Sequence, residues 1–570
     1  MKQTYTIGVD FGTQSARAVL CRVSDGAVLS ESECPYAHGV MSDRLPCGTP
    51  LPPDYALQHP QDFLDALHAT VHGVLAKADI NRADIIGMGM DFTCSTPLPV
   101  DKAGTPLCFD PRFERNPHAY IKLWKHHAAQ WEAARLTELM REHDPELLPC
   151  VGGRLSPEAF FPKVWQVLRE APDVFDAADR FLEVGDWLTQ RLTGNENLAR
   201  SLATHKAQYR EGVGYPPLLR YADPRLAGMI GAKVRGKLID IGAVSGYLTQ
   251  QRAAWLVLPA GIVVTAPHPD AMASLPALGI TGPGPAALAA GTSSAMILCY
   301  SQFLPVEGTT SIMLDNTLPG LYGYASGQAA FGDTERTLAF GDLLGWFVSR
   351  CAPEEVLRAA QDAHISAHEE LSRRAALLHP GESGLICLDW WNGNRSCLAD
   401  MRLSGMLLGM TLQTRPEEIY RALMEGLGFG LRCIIDAHER AGVPIHALHV
   451  SGGISYKNPL FMQLLSNIIQ RPLYISKPLP TPAVGMTILS ACAAGTQKGG
   501  YDQLDEAAAR MSCLSDIRYQ PDASQAAAYD ALYQEYIALH DYFGRGANDV
   551  MKRLRDLSAA VKEQAYAKHE

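Results

Sequence analysis

One short motif is written twice in this chain. Residues 12–20 read GTQSARAVL and residues 291–299 read GTSSAMILC, each a glycine–hydroxyl turn between apolar runs. Thr6–Val9 leads into the first turn and Ala18–Val23 leaves it; Ser24-Asp25-Gly26 then turns the chain into Ala27–Ser30. Ala287–Ala290 and Ala295–Tyr300 flank the second turn. Apolar runs joined this tightly are antiparallel strands. They argue against a Rossmann opening, which would place a helix after the first glycine loop. The repeat predicts an internal duplication, one hairpin per lobe.

The chain has 570 residues, enough for more than one domain. Boundaries are expected near residues 260 and 500, giving units 1–260 and 261–500 and an extension over 501–570. The net charge of −11 and the lack of a long basic cluster speak against a nucleic-acid or anionic-membrane surface. No apolar run approaches the ~18–20 residues of a membrane span. The N-terminus enters a strand-like run at once, without a signal-peptide core. Thirteen cysteines are scattered singly with no CxxC pair, which indicates neither a disulfide framework nor a zinc site. A soluble, cytoplasmic protein is the expectation.

Past the first strands, helices and strands alternate. Apolar spacing predicts helices over 62–78, 121–141, 162–169 and 186–192, and strands over 85–90 and 262–265. The stretch 210–246 has little periodicity. Thr414-Arg415-Pro416-Glu417 fits a capping box ahead of a helix over 420–442. Tyr529, Leu532, Tyr533 and Tyr536 mark a helical C-terminus.

Several motifs carry chemistry. Asp10 stands at a strand end before Gly12, Thr13, Gln14 and Ser15, where a carboxylate could hold Mg²⁺ through water while the turn faces phosphate oxygens. Gly291, Thr292, Ser293 and Ser294 repeat that turn, and two such hairpins suit a triphosphate clamped between lobes. Gly452 and Gly453 follow an apolar strand and allow close backbone approach to a ligand. Asp270 follows a strand and could take a proton from a hydroxyl. Gly231–Leu238 imitates a P-loop but ends in Leu238, without the magnesium-binding hydroxyl, and reads as a surface loop. His118, His126 and His127 read as solvated positions on a polar helix.

The DFGT turn, the GTSS turn and SGGISYKNP, in this order, resemble the FGGY carbohydrate kinases, of the superfamily shared by actin, hexokinase and the heat-shock chaperones. Within that family the L-ribulokinase group is the most similar, through MDFTCSTPLPVD (90–101), NPHAYIKLWKHHAAQ (116–130), LDWWNGNRS (388–396) and LYQEYIALHDYFGRGANDVMKRL (532–554). The resemblance implies an α/β fold of two ribonuclease-H-like domains flanking a catalytic cleft. It implies ATP and Mg²⁺ as cofactors, and γ-phosphoryl transfer to the terminal hydroxyl of a ketopentose, L-ribulose foremost. By resemblance Asp10 organises the metal, Gly12, Thr13 and Gln14 form the first phosphate loop, and Gly291, Thr292 and Ser293 the second. Gly452, Gly453 and Asn458 lie beside the adenosine. Asp270 matches the catalytic base, Lys206 a sugar-contacting lysine, and Asp91, Phe92, Thr93, Ser95 and Thr96 the sugar pocket. A small-molecule sugar is the expected partner, and a homodimer the expected assembly.

The chain departs from the family pattern beside the sugar. Where relatives carry Glu-Ala-Gly-Gln, it reads Ala325-Ser326-Gly327-Gln328. Losing a charged partner to a buried hydroxyl costs ~1.5–3 kcal/mol, roughly ten- to a hundredfold in affinity. Phe331-Gly332-Asp333 is echoed by Phe340-Gly341-Asp342, as if about nine residues were inserted. Asp333, Glu335 and Asp342 are candidates to replace the glutamate. Pro267 and Pro269 flank the base where relatives have smaller residues, and Gln14 and Ala16 replace the usual acidic residue and glycine of the first loop. Another ketose or a polyol, or a non-catalytic sugar- or nucleotide-binding relative, are the alternatives.

Overall fold

The computed structural model describes residues 3–291, 294–302, 304, 306, 312–327, 340–394, 396–398 and 400–566. Among these, two seven-stranded sheets carry the molecule. The first contains β1 (Tyr5–Phe11), β2 (Ser15–Arg22), β3 (Val28–Pro35), β4 (Ile85–Phe92), β5 (Val244–Tyr247), β6 (Val263–Thr265) and β7 (His268–Pro269). Its order is β5-β6-β4-β1-β2-β3, with β7 also beside β4. The second contains β8 (Pro285–Ala290), β9 (Ser294–Tyr300), β10 (Ile312–Leu318), β11 (Leu321–Gly327), β12 (Ala447–Ser451), β13 (Leu473–Ser476) and β14 (Leu514–Tyr519). Its order is β10-β11-β9-β8-β12-β13-β14.

The two sheets repeat one plan. In each, an antiparallel hairpin (β1–β2, β8–β9) has a parallel strand (β4, β12) on the other side of its first member. The duplicated turn motif is therefore a duplicated supersecondary unit. Every residue of β1 is buried, because helices cover both sheet faces. Ile7, Val9 and Phe11 point toward Phe63 and Val71 of the helix Pro60–Lys77. Thr6 and Gly8 point the other way, toward the helix Thr481–Ala494. There the Thr6 hydroxyl donates to the Thr487 carbonyl at 3.1 Å, and a Cβ at position 8 would come within 1.8 Å of the Ala483 carbonyl. Glycine at position 8 lets backbone pack on backbone.

The structure corrects several sequence expectations. The strand Val263–Thr265, assigned to the head of the second block, pairs with β4 in the first sheet. The helix expected over 121–141 spans only Gln130–His143; Ile121–Lys122 is a short strand paired with Leu57–Gln58. His118, His126 and His127 are buried rather than solvated. His126 Nε2 lies 2.8 Å from Gln166 Oε1 and its Nδ1 accepts from Ala56 N–H, which tertiary packing demands and helical spacing does not reveal. The capping box sits one residue later than expected: the Glu418 carboxylate accepts from Arg415 N–H at 2.6 Å. The inserted segment beside the sugar lies outside the described residues up to position 339, and Gly341 opens the helix Gly341–Arg350. No helix among the described residues is long and apolar enough to cross a membrane.

Candidate active site

Strand register assembles three carboxyl groups from distant sequence. β1 and β4 run parallel with Asp10 opposite Asp91, and β7 sets His268 opposite Asp91 and Pro269 opposite Phe92. Asp270 follows at once and opens the helix Asp270–Ala277, where its carboxylate accepts from Ala271 N–H at 2.7 Å. Like charges gathered in a buried space cannot all ionise. Burial first, then the charges of Asp10 and Asp270, hold Asp91 well above the carboxylate range. Burial and the Asp10 charge raise Asp270 to about 7, opposed by the Ala271 N–H and by Lys206. Asp10 is raised by burial, with Asp91 and Arg17 pulling it back. Neither oxygen of Asp91 meets a hydrogen-bond donor among the described residues.

Lys206 closes the helix Arg200–Lys206 and faces this cluster. Its Nζ donates to Glu158 Oε2 at 2.8 Å, and Glu158 Oε1 lies 3.2 Å from His127 Nε2. Burial would raise Glu158, but the Lys206 charge and the His127 contact bring it to about 2. Burial works against the Lys206 ammonium as well, and Glu158 more than restores it. Among the described residues Glu158 is the only hydrogen-bond partner of Lys206. Two ammonium protons therefore remain without a partner among the described residues.

The segment after β4 shapes a wall. The Phe92 ring is core, stacked on Phe11 with centroids 4.7 Å apart and packed by Gly185, so its ring is turned into the interior. Thr93 N–H donates to the Phe11 carbonyl at 3.2 Å. Ser95 adopts φ +64, rare for a residue with a side chain, and its hydroxyl donates to the Glu158 carbonyl. The buried Lys163 holds the turn by donating to the Ser95 carbonyl at 2.6 Å and the Leu123 carbonyl at 2.8 Å. Thr96 gives both its N–H and its hydroxyl to Glu183 Oε2, at 2.6 and 2.9 Å. Ser95 and Thr96 are thus committed to protein partners and form the wall with backbone and carbon. Ala325 lies on β11 between Ile297 and Ile312, half-buried, with Ala271 in the same apolar cluster.

The two glycine turns are built differently in detail. In the first, Gly12 N–H donates to the Ser15 carbonyl at 3.0 Å, and Thr13 Oγ1 accepts from Trp124 Nε1 at 3.0 Å. Gln58 Nε2 donates to the Thr13 carbonyl at 3.0 Å, while Gln14 is exposed. In the second, the Gly291 carbonyl accepts from Gly341 N–H at 3.1 Å; Thr292 and Ser293 lie outside the described residues. β8 and β12 pair Ala289 with Ser451, which lays Gly452 and Gly453 beside that turn. Gly452 has φ +102, and a Cβ there would meet the Ala290 carbonyl at 2.3 Å; nothing lies near the equivalent point of Gly453. The Asn458 side chain turns inward and caps the helix Pro459–Ile469 by accepting from Phe461 N–H at 3.0 Å.

Sequence reasoning missed Glu158, Lys163, Glu183 and Trp124. Trp124 and His127 lie within the stretch 116–130 whose likeness was noticed without a role for either. Glu158 sits in an irregular segment with no periodic signal.

The family model for the N-terminal domain of the FGGY carbohydrate kinases matches residues 5–209, and that for the C-terminal domain residues 286–494. The chain belongs to the FGGY family of carbohydrate kinases. It is 43% identical over 562 residues to a ribulokinase of Halalkalibacterium halodurans, covering 98% of each chain. It is equally identical over 569 residues to a ribulokinase of Geobacillus thermodenitrificans, covering 99% of each. Among solved structures it resembles a xylulose kinase from Rhodospirillum rubrum, at TM-score 0.77 and 24% identity over 95% of this chain and 98% of the other. It also resembles a glycerol kinase from Plasmodium falciparum crystallised with ADP, at TM-score 0.73 and 16% identity over 94% and 98%. These two likenesses show the actin/hexokinase-like fold. As an FGGY kinase the protein is an ATP-dependent sugar kinase.

Proposed function

We propose that this kinase transfers the γ-phosphoryl group of Mg-ATP to the terminal hydroxyl of a ketopentose, L-ribulose foremost, giving L-ribulose 5-phosphate in arabinose breakdown. The observation that carries the chemistry is the Asp270 carboxyl, raised to about 7 between Asp10 and Lys206. A base near the operating pH accepts a hydroxyl proton without being permanently ionised or permanently protonated. The identity to curated ribulokinases, 43% over nearly the whole chain, supports the sugar.

In this reading Asp270 takes the proton from the attacking hydroxyl and Lys206 holds the sugar. Asp91, Thr93, Ser95 and Thr96 line the pocket, with Phe92 supporting it from behind. Gly12, Thr13 and Gln14 on one lobe, and Gly291, Thr292 and Ser293 on the other, embrace the phosphates; Gly452, Gly453 and the capping Asn458 shape the nucleotide side. Magnesium fits the acidic cluster, since among the described residues the Asp91 oxygens meet no donor and the Asp10 charge is moderated by Asp91 and Arg17 alone. When bound, the ion neutralises charge on the transferring phosphoryl group. Two lobes, one around each seven-stranded sheet, would close on the cleft and exclude water from the transfer; the stretch 501–570 adds an edge strand to the second sheet as well as helices. The free thiols and the use of ATP support a cytoplasmic setting. Exposed Leu554, Leu557 and Val561 on the last helix support a homodimer.

The test is a coupled ADP-release assay with Mg-ATP over ketoses, aldoses and polyols, with Asp270→Asn as control. Turnover of L-ribulose that is lost in the variant bears the proposal out; turnover of a different sugar alone removes the substrate assignment. Ala325 favours a second reading, another ketose or a polyol, because a methyl group offers the sugar no hydrogen bond.

A further inference from the structure

The helix Val184–Thr193 begins at the sugar wall, where Val184 N–H donates to Thr96 Oγ1 at 3.2 Å, and ends at a separate cleft of about 390 Å³. That volume lies in the ~300–1,000 Å³ range of small-ligand sites. Four cations line the cleft: Lys102 from the turn after the strand Pro97–Val100, Arg180 from the strand Arg180–Glu183, Arg191 near the helix end and Arg252 from the helix Gln250–Leu256. Glu196 is the one carboxylate in the described lining. In a chain of net charge −11 such a gathering runs against the overall sign.

Ion pairs leave most of this charge unmatched. Arg180, which is buried, donates to Gln190 Oε1 at 3.0 Å and lies 2.9 Å from Glu196. Among the described residues its Nε atom has no hydrogen-bond partner; the Asp179 carboxylate is 3.7 Å from it and is also paired with Arg235 at 2.6 Å. Arg252 Nε donates to the Arg191 carbonyl at 3.1 Å, and among the described residues neither Arg191, Arg252 nor Lys102 has an acidic partner. Burial, then the like charge of Arg191, pull Arg252 below the usual guanidinium range. Two arginines are therefore held near each other, and among the described residues neither is paired with a carboxylate. Trp187, buried in the core beneath the cleft, donates its Nε1 to the Gly104 carbonyl at 2.9 Å and fixes the cleft floor.

We propose that this cleft is a second binding site, distinct from the catalytic carboxylates, for a small metabolite that carries a phosphate group. Guanidinium forks match phosphate oxygens in pairs, and partial burial strengthens each such bond. Asn195 and Gln251 offer polar contacts for an organic remainder, and the cleft has more room than a bare phosphate fills.

The test is calorimetric titration of the full-length protein, with a non-hydrolysable ATP analogue and L-ribulose saturating the catalytic cleft. The probes are D-ribose 5-phosphate and, separately, inorganic phosphate. Variants Arg191→Gln and Lys102→Gln, each checked by thermal melting and by unchanged kcat, serve as comparators. The expected result is saturable binding of ribose 5-phosphate, weakened ~10-fold or more in Arg191→Gln and less in the exposed Lys102→Gln. Equal affinity for inorganic phosphate, lost in the same variants, also upholds the site and shows that it reads the phosphate alone. No saturable binding of either probe, or binding untouched by both substitutions, overturns the proposal.

Discussion

Lys206 Nζ lies 2.8 Å from Glu158 Oε2, and Glu158 has its other oxygen against His127 and its carbonyl under the Ser95 hydroxyl. One residue thus holds Lys206 by its side chain and the neighbouring turn by its backbone. Glu158→Gln keeps the shape and removes the charge. Its expected effect is a ~10-fold rise in the sugar KM, the worth of a charge-assisted bond, with the ATP KM unchanged. Steady-state kinetics with each substrate varied in turn checks this.

Asp270→Asn would remove the proposed base without opening a cavity. Turnover is expected to fall by ~10²–10⁴ while ATP affinity measured by calorimetry holds. The Asp270 carboxyl is raised to about 7, so the ionised form that the proposed role requires prevails above that pH and is lost as pH falls through it. kcat/KM for the sugar should therefore decline on the acid side, tenfold per pH unit once below about 7.

Buried neutral histidines make the fold acid-sensitive. Burial brings His118 to about 4 and His205 and His268 to about 3, and holds His126 well below its ordinary value of 6.5. A folded-state value below the unfolded one means stability is complete above pH 6.5 and is lost as pH falls toward the folded values. At pH 5.5 each such group removes about 1 kcal/mol. Thermal melting at pH 7.0 and 5.5 should show a drop of several degrees.

At Gly452 both the backbone conformation and the space forbid a side chain: φ is +102 and a Cβ would lie 2.3 Å from the Ala290 carbonyl. Gly452→Ala should cost ~1–3 kcal/mol of stability. It should raise the ATP KM more than the sugar KM, since it pushes β12 from the second glycine turn.

Ala325→Glu supplies the carboxylate that the resemblance to the family pattern implies at this position. If L-ribulose is the substrate, its KM should fall by ~10-fold in the variant, the reverse of losing one charged partner. An unchanged KM would mean that the sugar does not approach β11.

The hairpins, Asp10 and Asp270 were legible because strand ends and glycine turns have local signatures, whereas Lys206, at the end of a helix, was singled out through the family resemblance alone. Glu158 and Lys163 were not, since each acts through a tertiary contact with a segment at least 40 residues away: Glu158 with Lys206, Lys163 with Leu123. The stretch 121–129 misled for a related reason. Its apolar spacing is helix-like, yet Lys122 and His126 spend their polar atoms on buried partners, and that requirement sets the backbone. Phe92 shows the converse: its neighbour Asp91 faces the site, so strand alternation turns Phe92 into the core.

The helix Thr481–Ala494 belongs to the C-terminal family region but covers the β1–β4 face of the first sheet, with Gly8 against Ala483 and Gly89 against Met486. The first lobe is thus completed by residues made near the end of synthesis. At ~5–20 residues per second, its sheet waits roughly 10–50 s on the ribosome before that cover emerges. During translation the exposed face is a natural client for chaperones, and a fragment ending at the lobe boundary would carry it permanently bare.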